Sequence, residues 1–578
     1  MPAAATDTAV RSTPIPAEWL QGLVVGASVL VVVYLALVPL AFLLWQSVHA
    51  QVAAGTVAPL SLDNFRNVYA RTGTGRLVAD SLRFAIGSSL IAFGIGTLLA
   101  WTNERTNAPF KRVFFAVSIV PLIIPGVLFV IAWMLLGSPK IGLINVALQA
   151  LFATDFVFVN VYSLPGMAFV DGLHYAPLAF LMMSAAFRAM DPALEEAALM
   201  SGASVASVAW RITLRLSWPA AFATLLILFV RALESFEAPA LLGLPAGIQV
   251  FTSAIYSAIH RYPADIGLAS AYGVSLLAIA AAGLWLQSRI TARGARHATV
   301  TGRGFRPRAI DLGRWRMPVA AIFVTYLLLI VGLPFLVLLW SSFQKFYAVP
   351  SLDAVRTLTL DPYRFVLAFP SIARATLNSI ALAVATATAI MLVTSVTCWI
   401  VVKSRARGRS ALDVVSSIPI VFPGLVLGLA IMIFYLHVDV GIYGTLWILF
   451  VAYVTRFLPY GIRYNSASML AIHRELEESA AMSGASWWQT FRRIVLPLLR
   501  PGLVAGWIYI AIVSVRELSS SILLYGPGTE VLSVAIWELW ENGQYVELSA
   551  LGVLMIVALS LLVMVAQRLG GRLGVRIA

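Results

Sequence analysis

A single cysteine, Cys398, stands in 578 residues, so neither an intrachain disulfide nor a multi-cysteine metal centre is available. Charge is scarce too: 11% of residues are Asp, Glu, Lys or Arg against 60% hydrophobic, far outside the roughly 45–50% apolar usage of soluble domains. The four lysines are Lys111, Lys140, Lys345 and Lys403, and none follows a glycine. A phosphate-binding loop needs Gly-Lys-Ser/Thr, so this chain cannot hydrolyse ATP itself. Gly-x-Ser-x-Gly, His-Glu-x-x-His and close His/Cys clusters are missing as well, which leaves no enzyme site supported. His174, His260, His437, His473 and the scattered methionines read as packing, and weak period-two alternation argues against a membrane barrel.

What the chain does have is apolar length. Runs at 20–45, 322–340 and 548–566 reach or approach the roughly 18 to 20 residues that cross a bilayer core as helix. The expectation is an all-α integral membrane protein with candidate helices at roughly 20–45, 81–102, 113–136, 164–187, 219–235 and 266–288, then 317–341, 377–402, 412–436, 443–466, 501–522 and 548–567. That is twelve, six per half. The first run is too long for a signal-peptide core and reads as a retained helix.

The net charge of +14 sits in arginines at the short joints between apolar runs, where topology places cytoplasmic positive charge; membrane topology explains it better than nucleic acid does. Arg289, Arg293, Arg296, Arg303, Arg306, Arg308, Arg314 and Arg316 mark 289–316 as a cytoplasmic linker between a first repeat, 1–288, and a second, 317–578. Parity then puts both termini in the cytoplasm. Joints 104–112 and 403–409 agree, whereas the loop with Arg66, Arg71 and Arg76 is an exception.

The halves also match in letters. "LDNFRNVYA" (62–70) resembles "LDPYRFVLA" (360–368) and "PLIIPG" (121–126) resembles "PIVFPG" (419–424), both 298 residues apart. "EEAALMSGAS" at 195 and "EESAAMSGAS" at 477 are 282 apart. The difference assigns 16 extra residues to the first half around 141–162, an added short helix on the outer face. Two six-helix halves of the same orientation form a parallel repeat with a pathway between them, which points to a transporter.

The repeated phrase opens a helix with acidic and small residues, turns at glycine and continues into an amphipathic stretch. Glu195, Glu196, Ala198 and Gly202, with Glu477, Glu478, Ala480 and Gly484, thus form two cytoplasmic projections suited to a dimeric partner. The pattern E-A-A, three residues, G, nine residues, I-x-L-P resembles the cytoplasmic coupling motif of binding-protein-dependent ABC importer permeases. Copy one matches at Glu196, Ala197, Ala198, Gly202, Ile212 and Leu214, with Arg215 in place of the proline. Copy two matches at Glu478, Ala480, Gly484, Ile494, Leu496 and Pro497 and departs at Ser479.

The resemblance implies coupling helices that dock on two cytoplasmic ABC ATPase subunits, which carry ATP and Mg while this chain binds no cofactor. It also implies a periplasmic substrate-binding protein and a bacterial inner membrane with its lipid, and no nucleic acid. The whole chain is similar to fused permeases for ferric iron, with relatives serving thiamine, 2-aminoethylphosphonate and polyamines. "RALESFEAPALLGLPAG" (231–247) and "RELSSSILLYGPGTEVLSVAIWELWENGQ" (516–544) favour the iron branch. An ion-coupled secondary transporter is the rival from another class; it has no use for paired coupling phrases.

Charge inside apolar helices is costly enough to suggest function. Arg231, Glu234 and Glu237 recur at i, i+3 and i+6 near the outer end of the fifth helix, and Arg516 and Glu517 hold the equivalent place in the second half. Two readings stand: carboxylates lining a path for a hard trivalent cation, or internal ion pairs locking the fifth helices together. No resident metal is assigned.

Overall fold

The computed structural model describes residues 17–49, 59–70, 73–122, 124–295, 309–404 and 406–572. The first 16 residues, Arg71, Arg405, Arg576 and the linker residues Arg296, Arg303, Arg306 and Arg308 lie outside them. Every regular element among the described residues is helical, with two isolated β-bridges, as a bilayer requires of backbone that must satisfy its own polar groups. Among the described residues, eight helices are long and apolar enough to cross a membrane, or up to eleven if each bent pair is one span.

Three departures from the expected twelve have local causes. The third helix of each half is broken. Lys111–Ile119 gives way through Val120–Leu122 to Gly126–Gly137, and Arg409–Val421 meets Gly424–His437 at 106°. The breaks fall at the matched "PLIIPG" and "PIVFPG", where Pro125 and Pro423 both stand at ψ 137; proline withholds an amide and pushes its predecessor out of helix. Next, a folded-back pair follows each fifth helix and was not expected: Pro239–Ala246 with Phe251–His260, bent by 76°, and Ser521–Leu524 with Leu532–Glu541. Finally, Leu446–Leu470, which carries Arg456 and Arg463, is not among the eight. The insertion does hold a short helix, Leu143–Phe152, whose Asn145 donates to the Ser138 and Val159 carbonyls at 3.0 and 2.6 Å.

The repeat recurs as hydrogen bonds. Phe251 N donates to the Ser81 hydroxyl at 3.0 Å, and Leu532 N to that of Ser379 at 2.7 Å. Thr252 donates to the Ser235 carbonyl at 2.7 Å, as Ser533 does to that of Glu517 at 2.6 Å. Second and fourth helices cross closely in both halves, but the small residue changes sides. A Cβ on Gly96 would stand 2.4 Å from Ala179 Cβ, whereas in the second half Gly461 faces Ile390 and Thr394, at 2.4 and 2.9 Å. Such contacts supply the packing that membrane helices lack hydrophobic drive to obtain.

Each half lends its first helix to the other. Ala17–Ser47 packs on Gly424–His437, with the Tyr34 and Tyr435 hydroxyls at 2.5 Å and the Phe42 and Phe434 rings at 4.8 Å. Reciprocally, Leu333–Ser341 packs on Gly126–Gly137. The last part of the linker is strapped to the first half. Ile310 N donates to the Arg105 carbonyl at 2.9 Å and Asn107 N to that of Ile310 at 3.0 Å. Asn107 also donates to Asp311 at 2.6 Å, and the Gly313 N–H with that amide holds the Asp311 carboxyl below its ordinary range.

Candidate functional site

The repeated phrase builds the same hairpin twice. Ala193–Met200 and Glu475–Met482 are short helices that end where Gly202 and Gly484 take φ of +86° and +78°, a left-handed turn that only glycine enters without strain. Ala203 N and Ala485 N return to the Ala198 and Ala480 carbonyls, both at 3.0 Å. Ser204 and Ser486 then cap the next helix by accepting from Ser207 N and Gln489 N, both at 3.3 Å. A π-turn follows at Ala209–Thr213 and at Phe491–Val495. The exits differ: the copy with Arg215 bends by 76° into Trp218–Glu234, whereas the copy with Pro497 runs unbroken over Trp487–Val515.

Leu194, Met200 and Trp210 are exposed on the first hairpin, as are Leu476, Met482 and Trp488 on the second. Met200 is 88% and Met482 90% exposed, so the two hairpins present a bare apolar side chain at the same place. Glu196 is half-buried and Glu478 exposed; Ala198 is half-buried and Ala480 buried. Glu195 and Glu477 turn the other way. Glu195 is buried against Arg105 and accepts from Thr213, while Glu477 meets Lys403 at 3.2 Å and the Trp399 indole N–H at 3.1 Å. Arg105 and Lys403, which the sequence presented only as cytoplasmic charge, were missed as partners.

The interior charges form one polar layer across both halves. Arg231 pairs with Glu234 at 3.2 Å and donates to the Tyr460 hydroxyl of the second half at 2.9 Å. Glu517 pairs with Arg456 at 3.1 Å and accepts from Ser520 N at 2.9 Å. Glu237 does not share a helical face with Arg231 and Glu234. The fifth helix ends at Glu234 because the next residue, Ser235, is extended at ψ 131; its hydroxyl donates to Asp171 at 2.7 Å and its carbonyl accepts from Thr252. Glu237 lies beyond, where a Cβ on Gly126 would be 3.5 Å from its carboxyl carbon and 3.7 Å from His174 Nε2.

Arg516 and Glu517 likewise follow the end of Leu496–Val515. The shared hydrogen bonds pair Glu517 with Ser235 rather than with Glu234. Asp171, Arg456 and Tyr460 were missed, although the first two are intramembrane charges that the same cost argument would have selected.

Toward the ends of the folded-back helices a cavity of about 520 Å³ opens between the halves, lined by His260 of the first and Tyr443, Tyr525, Glu530 and Glu538 of the second. Tyr256 bridges the halves nearby by donating to Glu541 at 3.1 Å. Among the described residues no group of three or more His, Cys, Asp or Glu could hold a metal ion.

The family described as "Binding-protein-dependent transport system inner membrane component" matches the chain twice, over 92–295 and 396–577. The ferric transport system permease protein FbpB of Actinobacillus pleuropneumoniae is 25% identical over 507 residues, covering 85% of this chain and 70% of that one. The putative ferric transport system permease protein FbpB 1 of Haemophilus influenzae is 25% identical over 480 residues, 79% of this chain and 72% of that one. The putative 2-aminoethylphosphonate transport system permease protein PhnV of Salmonella paratyphi A is 30% identical over 163 residues, 28% of this chain and 62% of that one. Among solved structures, a bacterial ABC transporter involved in the import of alginate aligns at 18% identity and a TM-score of 0.37, over 45% of this chain and 96% of that chain.

Proposed function

This chain belongs to the family of binding-protein-dependent transport system inner membrane components, and from that premise we propose that its cargo is ferric iron, released by a periplasmic binding protein and driven inward by two cytoplasmic ATPase subunits. The observation that carries the cargo is the breadth of the match. Relatives named for ferric transport align along most of the chain, whereas those named for 2-aminoethylphosphonate align along 28% of it. The organisation that fits is two repeats, 1–288 and 317–578, of six passages each, joined by the basic linker 289–316 with both termini in the cytoplasm.

In this reading the two hairpins are where the ATPase subunits dock, Glu196 and Glu478 offering charge and the exposed Met200 and Met482 offering apolar contact. ATP and Mg belong to those subunits. The cation enters by the cavity at Glu530 and Glu538 and passes Glu237, Glu234 and Glu517, whose oxygens suit a hard ion. Arg231 and Arg456, paired with two of these carboxylates, offset part of their charge, so the oxygens guide the cation without holding it tightly.

The test is import of radiolabelled ferric iron into vesicles holding the assembled complex. Glu234→Gln, Glu237→Gln and Glu517→Gln together keep size and hydrogen bonding while removing charge, so import should fall although ATP hydrolysis continues. Unchanged import by the triple variant refutes the path. Import of 2-aminoethylphosphonate and not iron by the unmodified complex refutes the cargo.

A further inference from the structure

The duplicated hairpin is fastened to the membrane helices by a duplicated tie. Arg105, the last residue of Thr74–Arg105, donates to the Met190 carbonyl at 3.0 Å, just past the end of Leu164–Ala189, and reaches Glu195 at 3.6 Å. Lys403, just past Pro370–Val402, donates to the Ile472 carbonyl, close after Leu446–Leu470, and reaches Glu477 at 3.2 Å. Each cation therefore sits where the carbonyl ends of two membrane helices favour positive charge, and it holds a carboxylate of the hairpin as well. Arg105 and Lys403 are 298 residues apart, whereas Met190 and Ile472, like Glu195 and Glu477, are 282 apart. All three parts of the tie have thus been kept through the repeat, although one cation is a guanidinium and the other an ammonium.

The surroundings have changed around the retained charge. Thr213 supplies the second bond to Glu195, and Trp399, from another element, supplies it to Glu477. Both side chains of the first pair are 3% exposed, so Glu195 is closed to any partner, while its neighbour Glu196 is not. Thr74–Arg105 and Leu164–Ala189 are themselves packed too closely at Gly96 to slide apart freely.

We propose that the pairs Glu195–Arg105 and Glu477–Lys403 are positioning joints, through which displacement of each hairpin moves the second and fourth helices of its half as one body. The proposal rests on the ATP-driven reading above. A low-dielectric ion pair bonded to two helix ends resists bending more than a solvated contact does.

The test uses the full complex with ATPase subunits and binding protein, measuring by mass the subunits retained and, in vesicles, ferric iron imported per ATP hydrolysed. Glu195→Gln with Glu477→Gln should keep both ATPase subunits bound yet lower import per ATP by about fivefold or more, the lower range of a coupling free energy. Lys403→Arg, which keeps the charge, should stay near the unmodified ratio. An unchanged ratio in the double variant overturns the proposal, as does loss of the ATPase subunits, which would make these docking residues. If the double variant does not insert, Thr213→Val and Trp399→Phe, each removing one hydrogen bond and no charge, take its place: a lowered ratio supports the joint and an unmodified one overturns it. Failure of the unmodified complex to couple ATP to import would instead refute the function from which the proposal starts.

Discussion

At the scale of single residues, Gly424 links the broken third helix of the second half to an interior ion pair. A Cβ built on it would lie 1.2 Å from Arg456 Nη1, so Gly424→Ala must displace the guanidinium that pairs with Glu517 at 3.1 Å. Glu517 is buried, and removing its partner outright would cost about 3–5 kcal/mol; the guanidinium is the free end of a flexible, partly exposed side chain, so displacing it should cost less than that. Thermal unfolding in detergent should show it, and Glu517→Gln added to Gly424→Ala should recover part of the loss because the stranded charge is gone. No recovery would mean that the cost lies in backbone strain at the broken third helix.

At the scale of elements, the hairpins owe their shape to a few local choices. Neither Gly202 nor Gly484 has an atom within 4 Å of a built Cβ, so Gly202→Ala and Gly484→Ala meet no clash and the cost is conformational, about 1–2 kcal/mol for a left-handed alanine. We expect both variants to insert while binding-protein-stimulated ATP hydrolysis loses its coupling to transport, since the outward face of the hairpin would be re-aimed. Ser204→Ala and Ser486→Ala remove only the caps, about 1 kcal/mol each, and should give a milder defect in the same assay. Equal coupling in glycine and cap variants would argue that hairpin geometry does not govern it.

At the scale of the whole molecule, the exchange of first helices makes each half incomplete alone. Ala17–Ser47 buries Val32 and Leu43 in a chain where it lies against the second half. If the chain is cut within 296–308 and both pieces are co-expressed, they should purify together. The first piece expressed alone should be degraded or aggregate, because its first helix keeps its contact with Ile266–Ala295 but loses its seat on the second half; stable insertion of that piece as a monomer would contradict the exchange. The duplicated hairpins also set a stoichiometry: mass measurement of the solubilised complex should give one 578-residue chain with two ATPase subunits, and two copies of the chain per ATPase pair would contradict the fused reading.

The membrane class, the repeat and its offsets, the hairpins with their glycines and the missing ATPase motif were all determined by the sequence, because each follows from composition or from short-range pattern. Even the breaks at Pro125 and Pro423 were present in the matched "PLIIPG" and "PIVFPG" phrases, although a hydropathy reading merged each broken pair into one span. Only tertiary structure decided which charges meet. Arg105 and Glu195 are 90 residues apart, Arg231 and Tyr460 lie in different halves, and periodicity placed Glu237 on a helix that Ser235 ends. The folded-back pairs after the fifth helices were also hidden, since an apolar helix that turns back and one that crosses bury similar side chains. Pattern reports what a helix faces on average, whereas an ion pair depends on which two helix ends packing brings within a few ångströms.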